Sequence, residues 1–247
     1  NSDTIGPLIQ SADTSIYLDA SGSFTIDTAF INVASSDNCG IDTMYLSRYN
    51  FDCSDIGAPQ LVVLYAMDVN GNIDSTTNFV SVFDTISPNA VANNVQLFLD
   101  SSGFASITPA SVNGGSSDAC GIDSLYLIQI DFQCTDTGTN VVTLFVIDDN
   151  GNVGQTDFTA IVFDTIAPVI IANNLTIFLD GAGIASISVN SANAGTFDNC
   201  IVDSIWLSQE IFDCSHIGTN MATFNALDVS GNQSSTQISI TVLDTFS

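Results

Sequence analysis

From Val95 the chain alternates: Val95, Leu97 and Leu99 are offset by Gln96 and Phe98 until Asp-Ser-Ser-Gly breaks the run ahead of Ala105 to Ile107. The same period of two returns at Val142, Leu144 and Val146, with Thr143 between them, and at Ile238, Ile240 and Val242, with Ser239 and Thr241 on the other side. A two-residue period puts successive side chains on opposite faces of an extended strand, so each run predicts a strand with one face buried. The runs are short and separated by Gly, Asp, Asn and Ser, and no segment carries the 3.6-residue period of a helix. Some seven strands per repeating unit are expected, packed as two antiparallel sheets.

The unit itself is plain when the chain is laid against itself. Asp-Thr-Ile-Gly-Pro at 3–7 returns as Asp-Thr-Ile-Ser-Pro at 84–88 and Asp-Thr-Ile-Ala-Pro at 164–168, and 244–247 begins a fourth copy. The cysteine-bearing strings at 35–42, 116–123 and 196–203 keep register, as do those at 51–57, 132–138 and 212–218. A period of about 80 residues exceeds most solenoid repeats and suits a small domain with its own core. The sequence therefore predicts an all-β chain of three tandem immunoglobulin-like β-sandwich domains forming an elongated rod, with repeats at 1–83, 84–163 and 164–243 and the start of a fourth at 244–247. Pro7, Pro88 and Pro168 stiffen the short connections. Because both ends fall inside the repeat pattern, the sequence is expected to be a segment of a longer chain.

Charge narrows the partners. The 247 residues hold 27 acidic side chains against one basic one, Arg48, for a formal net charge of −26, while 45% of residues are hydrophobic. That hydrophobic content supports folded domains despite the charge. Nucleic-acid binding releases counterions through Lys and Arg contacts and attachment to anionic lipid needs the same charges, so both partners are disfavoured. No run of apolar residues is long enough for a transmembrane helix. Cations, neighbouring repeats of the same chain and lateral self-association of rods remain.

Each unit holds two cysteines 14 apart: Cys39 and Cys53, Cys120 and Cys134, Cys200 and Cys214. Constant spacing and an even count predict one disulfide inside each repeat, contributing roughly 3 kcal/mol by loop closure, and an extracellular or periplasmic location. Zinc is disfavoured, since there is no Cys-x-x-Cys pair and His216 is the one histidine.

In an immunoglobulin-like topology the start of the first strand, the loop between the second and third, and the turn between the last two meet at one pole. That would gather Asp3, Asp37, Asp68, Asn70 and Asn72 in the first repeat. In the second it would gather Asp84, Asp118, Asp148, Asn150 and Asn152, and in the third Asp164, Asp198, Asp228 and Asn232. The same pole should face turns of the preceding repeat such as Asp19 to Gly22 and Asp52 to Asp55. Carboxylates and amide carbonyls in this density suit Ca²⁺, which takes six to eight oxygens, better than Mg²⁺. The turn string Asp68-Val69-Asn70-Gly71-Asn72 is not an EF-hand loop, because its glycine comes fourth and Phe79 holds the twelfth position. As a hairpin turn it needs Asn-Gly to supply positive φ.

These motifs, Asp-Thr-Ile-x-Pro, Ser-Ser-Asp-Asn-Cys-Gly-Ile, Phe-Asp-Cys-Ser-Asp-Ile-Gly and Asp-x-Asn-Gly-Asn, resemble the HYR-like and immunoglobulin-like repeats of giant Bacteroidota cell-surface proteins, including gliding-motility adhesins. The resemblance covers the whole chain. It implies an exported, surface-attached protein whose repeats extend a binding tip or form a filament, with calcium at domain junctions. The third repeat departs from it at Ile201, where the others carry Gly40 and Gly121. The same phylum modifies Ser or Thr within Asp-Ser/Thr-apolar strings, which marks Thr4, Thr28, Thr43, Thr85, Ser124, Thr165 and Ser204 as O-glycosylation candidates.

Nothing assembles a catalytic set. His216 stands where the other repeats have Asp55 and Asp136, so a base there would exist in one copy only. Trp206 aligns with Tyr45 and Tyr126, a register that favours sheet packing and leaves sugar stacking as its rival. The sequence thus points to a non-enzymatic structural repeat segment of a secreted adhesin or filament, stiffened by disulfides and Ca²⁺. The alternative is a glycan- or ice-binding module on exposed strand faces.

Overall fold

A computed structural model describes residues 3–245. Of the predicted fourth copy, residues 246 and 247 lie outside the described residues, as do residues 1 and 2 of the first. The first repeat runs β1 (Thr14–Tyr17), β2 (Ser23–Thr25), β3 (Ile41–Leu46), β4 (Asn50–Asp52), β5 (Gln60–Asp68) and β6 (Ile73–Phe83). The second repeats this as β7 (Val95–Phe98), β8 (Phe104–Ser106), β9 (Ile122–Leu127), β10 (Asp131–Gln133), β11 (Gly138–Asp148) and β12 (Val153–Phe163). The third follows as β13 (Leu175–Phe178), β14 (Ile184–Ser186), β15 (Val202–Leu207), β16 (Ile211–Asp213), β17 (Gly218–Asp228) and β18 (Gln233–Leu243). Helix is confined to single turns, such as Pro109–Val112 and Cys53–Asp55.

Each repeat is a sandwich of a four-stranded and a two-stranded sheet, ordered β1-β6-β5-β3 with β2-β4 and its two counterparts. This differs from the expected seven strands in purely antiparallel sheets. The entry strand pairs parallel to the last strand, Thr14 with Val80 through Tyr17 with Phe83, and Leu175 with Ile240 through Phe178 with Leu243. The chain just before it makes only isolated bridges, Leu8 to Ser36 and Ser11 to Asn32, and counts as no strand. Side-chain alternation reads which face is buried but carries no sign of strand direction, so the parallel edge left no mark in the pattern.

The alternating runs do bury their apolar faces: Val142, Leu144 and Val146, and Ile238, Ile240 and Val242, are all within a few per cent of full burial. At the centre of each sandwich sits one ring from the short sheet, Phe51 on β4, Phe132 on β10 and Phe212 on β16. In the first repeat Phe51 packs with Ile16, Ile31, Leu64 and Val80, and in the third Phe212 packs with Leu179, Phe224 and Ile240. Pro7, Pro88 and Pro168 are buried rather than solvent-facing, so each connection is anchored as well as stiff.

By the density of its contacts the chain falls into two compact units, residues 1–92, 113–126 and 144–156, and residues 93–112, 127–143 and 157–247. The division cuts through the second repeat. The meeting of repeats one and two therefore lies wholly in the first unit, and that of repeats two and three wholly in the second.

Candidate functional site

The β5–β6 turn comes first, because it builds the pole. Gly71 N–H donates to the Asp68 carbonyl at 3.2 Å and Asp68 N–H to the Asn72 carbonyl at 3.0 Å. Gly71 takes φ of 89°, and Gly151 and Gly231 match it, while no non-glycine among the described residues has positive φ. The expectation that Asn and Gly share positive φ is thus corrected: glycine alone supplies it, in a loop longer than the two-residue hairpin turn. The Asp68 carboxylate is buried inside this turn. One oxygen accepts from the backbone N–H of Asn70 and of Asn72, both at 2.8 Å, and the other from Asn72 Nδ2 at 2.7 Å. Burial alone would push its pKa up, but the bonds from Asn72, Asn70 and Gly71 outweigh that and hold it below the usual range. Asp148 and Asp228 are satisfied in the same way.

The amide of Asn72 then reaches the incoming connection, donating to the carbonyls of Asp3 and Ile5 at 3.3 Å. Asn152 does so to Asp84, and Asn232 to Asp164 and Ile166. These three asparagines strap the connection to the hairpin. Asn70 donates to Asp3 Oδ2 at 3.4 Å, and Ser230 Oγ, at the position of Asn70 and Asn150, to Asp164 Oδ2 at 3.2 Å.

What the strap delivers is a set of carboxylates. Asp3 with Asp37 and Cys39, Asp84 with Asp118 and Cys120, and Asp164 with Asp198 and Cys200 each offer ligand atoms within 4.8 Å of one another. The loop carrying the second and third members is pinned to the connection by bridges at Leu8–Ser36, Asn89–Ser117 and Val169–Phe197. Within it Asp37, Asp118 and Asp198 each accept the cysteine backbone N–H at 2.8 Å. Of the expected ligands the six aspartates Asp3, Asp37, Asp84, Asp118, Asp164 and Asp198 converge. Asp68, Asp148 and Asp228, with Asn72, Asn152 and Asn232, are engaged in holding the turn.

Charge at the pole is under-compensated. Among the described residues the buried side-chain polar atoms without a hydrogen-bond partner are Asp84 Oδ2, Asp198 Oδ1, Asn199 Oδ1 and one distant amide nitrogen, that of Asn78. Three of the four are oxygens at these poles. Burial first, then the charges of Asp164 and Asp228, raise the pKa of Asp198. At the first pole a hydrogen bond from the Cys39 thiol, then one from the Ile5 N–H, lowers that of Asp3, and the bond to Asp3, then burial, raises that of Cys39. Buried oxygen acceptors beside like charges, with no donor, fit a hard divalent cation. The sulfurs of Cys120 and Cys200 are not available to it, being oxidised. Asn199, absent from the predicted set, also donates to the Asp100 carbonyl of the preceding repeat at 3.3 Å and to Asp164 Oδ1 at 3.2 Å. Its only sequence signal was Asp-Asn-Cys, which the second repeat breaks with Ala119.

The disulfides correct the sequence reading. Cys53 is bonded to Cys120 and Cys134 to Cys200, each joining one repeat to the next, while Cys39 and Cys214 are free and exposed. No bond lies inside a repeat. Cys39 and Cys53 stand at opposite ends of β3, whose six residues span roughly 17 Å. A disulfide needs Cα atoms within about 7 Å. The expected approach of the preceding repeat's turns holds: a Cβ on Gly22 would lie 2.8 Å from Cys53 Sγ and 3.0 Å from Ala119 Cβ, and one on Gly103 2.8 Å from the Asn199 carbonyl.

The remaining candidates are placed simply. His216 takes the capping position of Asp55 and Asp136 in its short turn, with Nδ1 2.8 Å from Asp213 Oδ1. Arg48 pairs with Asp55 and covers the Phe51 ring. Tyr45 stacks on Tyr65 and Tyr126 on Phe145 across neighbouring strands of the outer sheet face, where Trp206 stands opposite Asn225. Thr4, Thr43, Thr85 and Thr165 are exposed; Thr28, Ser124 and Ser204 are half-buried.

No family model matches the chain, and no curated protein does. Among solved structures it is similar to an I-band fragment of titin, at 11% identity and a TM-score of 0.46, covering 98% of this chain and 100% of that one. It is similar also to PcdhgB3 EC1-4, at 14% identity and 0.35, covering 98% and 76%. A third likeness is to Sidekick-1 immunoglobulin domains 1–5, at 12% and 0.41, covering 97% and 59%.

Proposed function

We propose that this chain is a non-enzymatic spacer of an extracellular adhesin or filament, in which Ca²⁺ and disulfides lock successive immunoglobulin-like repeats together. The observation that carries the reading is the coincidence, at each meeting of repeats, of an inter-repeat disulfide with converging carboxylates whose buried oxygens lack donors. Asp84 and Asp118 would hold one ion, and Asp164 and Asp198 with Asn199 Oδ1 another; Asp3 and Asp37 form the equivalent pair at the first pole. Each ion would neutralise repulsion that the turn straps cannot. The two disulfides support an oxidising compartment for the protein.

Calcium titration followed by calorimetry and melting tests this. Millimolar Ca²⁺ should raise the melting temperature and a chelator should lower it, with Mg²⁺ weaker at equal concentration; equal melting in Ca²⁺ and chelator would remove the cation from the proposal. A second reading, carbohydrate binding, is favoured by the outward-facing stacked pairs Tyr45–Tyr65 and Tyr126–Phe145. A glycan array on the intact chain separates the two, since a spacer binds none.

A further inference from the structure

The two free cysteines are not alike. Cys214 is the third copy of the position held by Cys53 and Cys134, and Cys39 is the first copy of the position held by Cys120 and Cys200. Both bonded pairs join the former kind to the latter in the following repeat. The chain therefore keeps one unused half of each kind.

Each half keeps local contacts of its bonded counterparts. Cys214 Sγ lies 3.8 Å from the Gly183 carbonyl, as Cys134 Sγ lies 3.8 Å from that of Gly103 and Cys53 Sγ 3.6 Å from that of Gly22. The three glycines share φ of 71°, 77° and 74°. A Cβ on each would meet its own cysteine sulfur at 2.8 Å. What differs is the space above. Gly22 faces Ala119 and Gly103 faces the Asn199 backbone carbonyl of the next repeat, whereas over Gly183 Cys214 is the one group within 4 Å among the described residues. At the other end Cys39 N–H is fixed by Asp37 at 2.8 Å, as those of Cys120 and Cys200 are by Asp118 and Asp198.

We propose that Cys39 and Cys214 are each one half of a further inter-repeat disulfide, Cys39 bonding to the counterpart of Cys53 in another repeat of this kind and Cys214 to the counterpart of Cys120. Two S–H bonds break and one S–S bond forms. The two protons and two electrons pass to a disulfide oxidant, which is cleaved to two thiols. The joint uses the same turn and loop as the two internal ones and does not depend on the cation.

The test uses the full chain under oxidised glutathione, read by non-reducing electrophoresis and peptide mass mapping. Wild type should form a ladder in steps of 25.9 kDa through a Cys214–Cys39 peptide. Cys39→Ser and Cys214→Ser should each remain monomeric, and their mixture should give one heterodimer and no ladder. A head-to-tail duplicate in which Leu243 runs into Asp3 of the second copy reproduces the Phe83–Asp84 and Phe163–Asp164 register. It should retain two alkylatable thiols rather than four. Four reactive thiols in the duplicate, or single variants that dimerise as readily as wild type through Cys39–Cys39 or Cys214–Cys214, would overturn the proposal. Unchanged melting in calcium would leave it standing, since only the pairing of thiols is read.

Discussion

Removing the Cys134–Cys200 bond by the double change Cys134→Ser and Cys200→Ser tests the energetic role of the inter-repeat links. The bond closes a loop with a sequence separation of 66. In the chain-entropy account a loop of that length stabilises the folded state by about 4 kcal/mol, against about 3 for the 14-residue loop of an intra-repeat bond. For a protein of this size each kcal/mol moves the melting temperature by about 2–4 °C, so a fall of roughly 8–16 °C is expected. Because the loop takes in the end of the second repeat and the start of the third, its loss should also uncouple them. Calorimetry of the variant should show the melting broadened or split where the parent shows these repeats unfolding together. Peptide mapping of the unreduced parent completes the assay. A variant melting within a degree of the parent, or a map joining Cys120 to Cys134, would refute the reasoning.

Other outcomes follow from the poles and cores. At a free concentration of one hundred times Kd, Ca²⁺ should add about 2.7 kcal/mol per site, a gain that Asp84→Asn should reduce in denaturant melts. In chelator at pH 7, Asp198→Asn should melt higher than the parent, by up to about 1 kcal/mol, because it removes a charge repelled by Asp164 and Asp228. Since the folded pKa of Asp198 is raised, its penalty is absent below the unfolded value of 3.8 and grows as pH rises through the folded one, so the advantage should vanish in acid and reverse sign in calcium. Asp68 has the opposite sign: its lowered pKa contributes stability above 3.8 that is lost as pH falls through the folded value. Asp148→Ala strands the N–H groups of Asn150 and Asn152 and should cost about 2–4 kcal/mol in urea unfolding. Phe132→Ala, at a fully buried ring, should cost about 3–5 kcal/mol by the same measurement.

The three-repeat sandwich was legible because two independent periods, of two residues and of about 80, agree along the whole chain. Convergence of Asp84 with Asp118 was legible too, since the topology puts a loop and a connection at one end. Cysteine pairing was not, although its clue was in the same topology: Cys39 adjoins Asp37 at one pole while Cys53 lies among Asp52 to Asp55 at the other. Constant spacing in sequence recurs for any pair of positions in a repeat and says nothing of distance. The division of labour among acids was equally hidden. Asp198 and Asp228 are the same residue type close enough to repel each other, and only the donors around each decide which is already satisfied.

The pairing sets how the chain would carry tension. A pull entering at residue 3 reaches Cys53, crosses its bond to Cys120, follows the polypeptide to Cys134 and crosses again to Cys200. Residues 54–119 and 135–199 hang outside that path. They cannot be drawn out unless sulfur–sulfur bonds break, so most of the second repeat is shielded from load and only the short run from Cys120 to Cys134 bears it there. Reduction would therefore add the length of those two segments to what the chain can yield under load, and a thiol in the surroundings would act as its mechanical release.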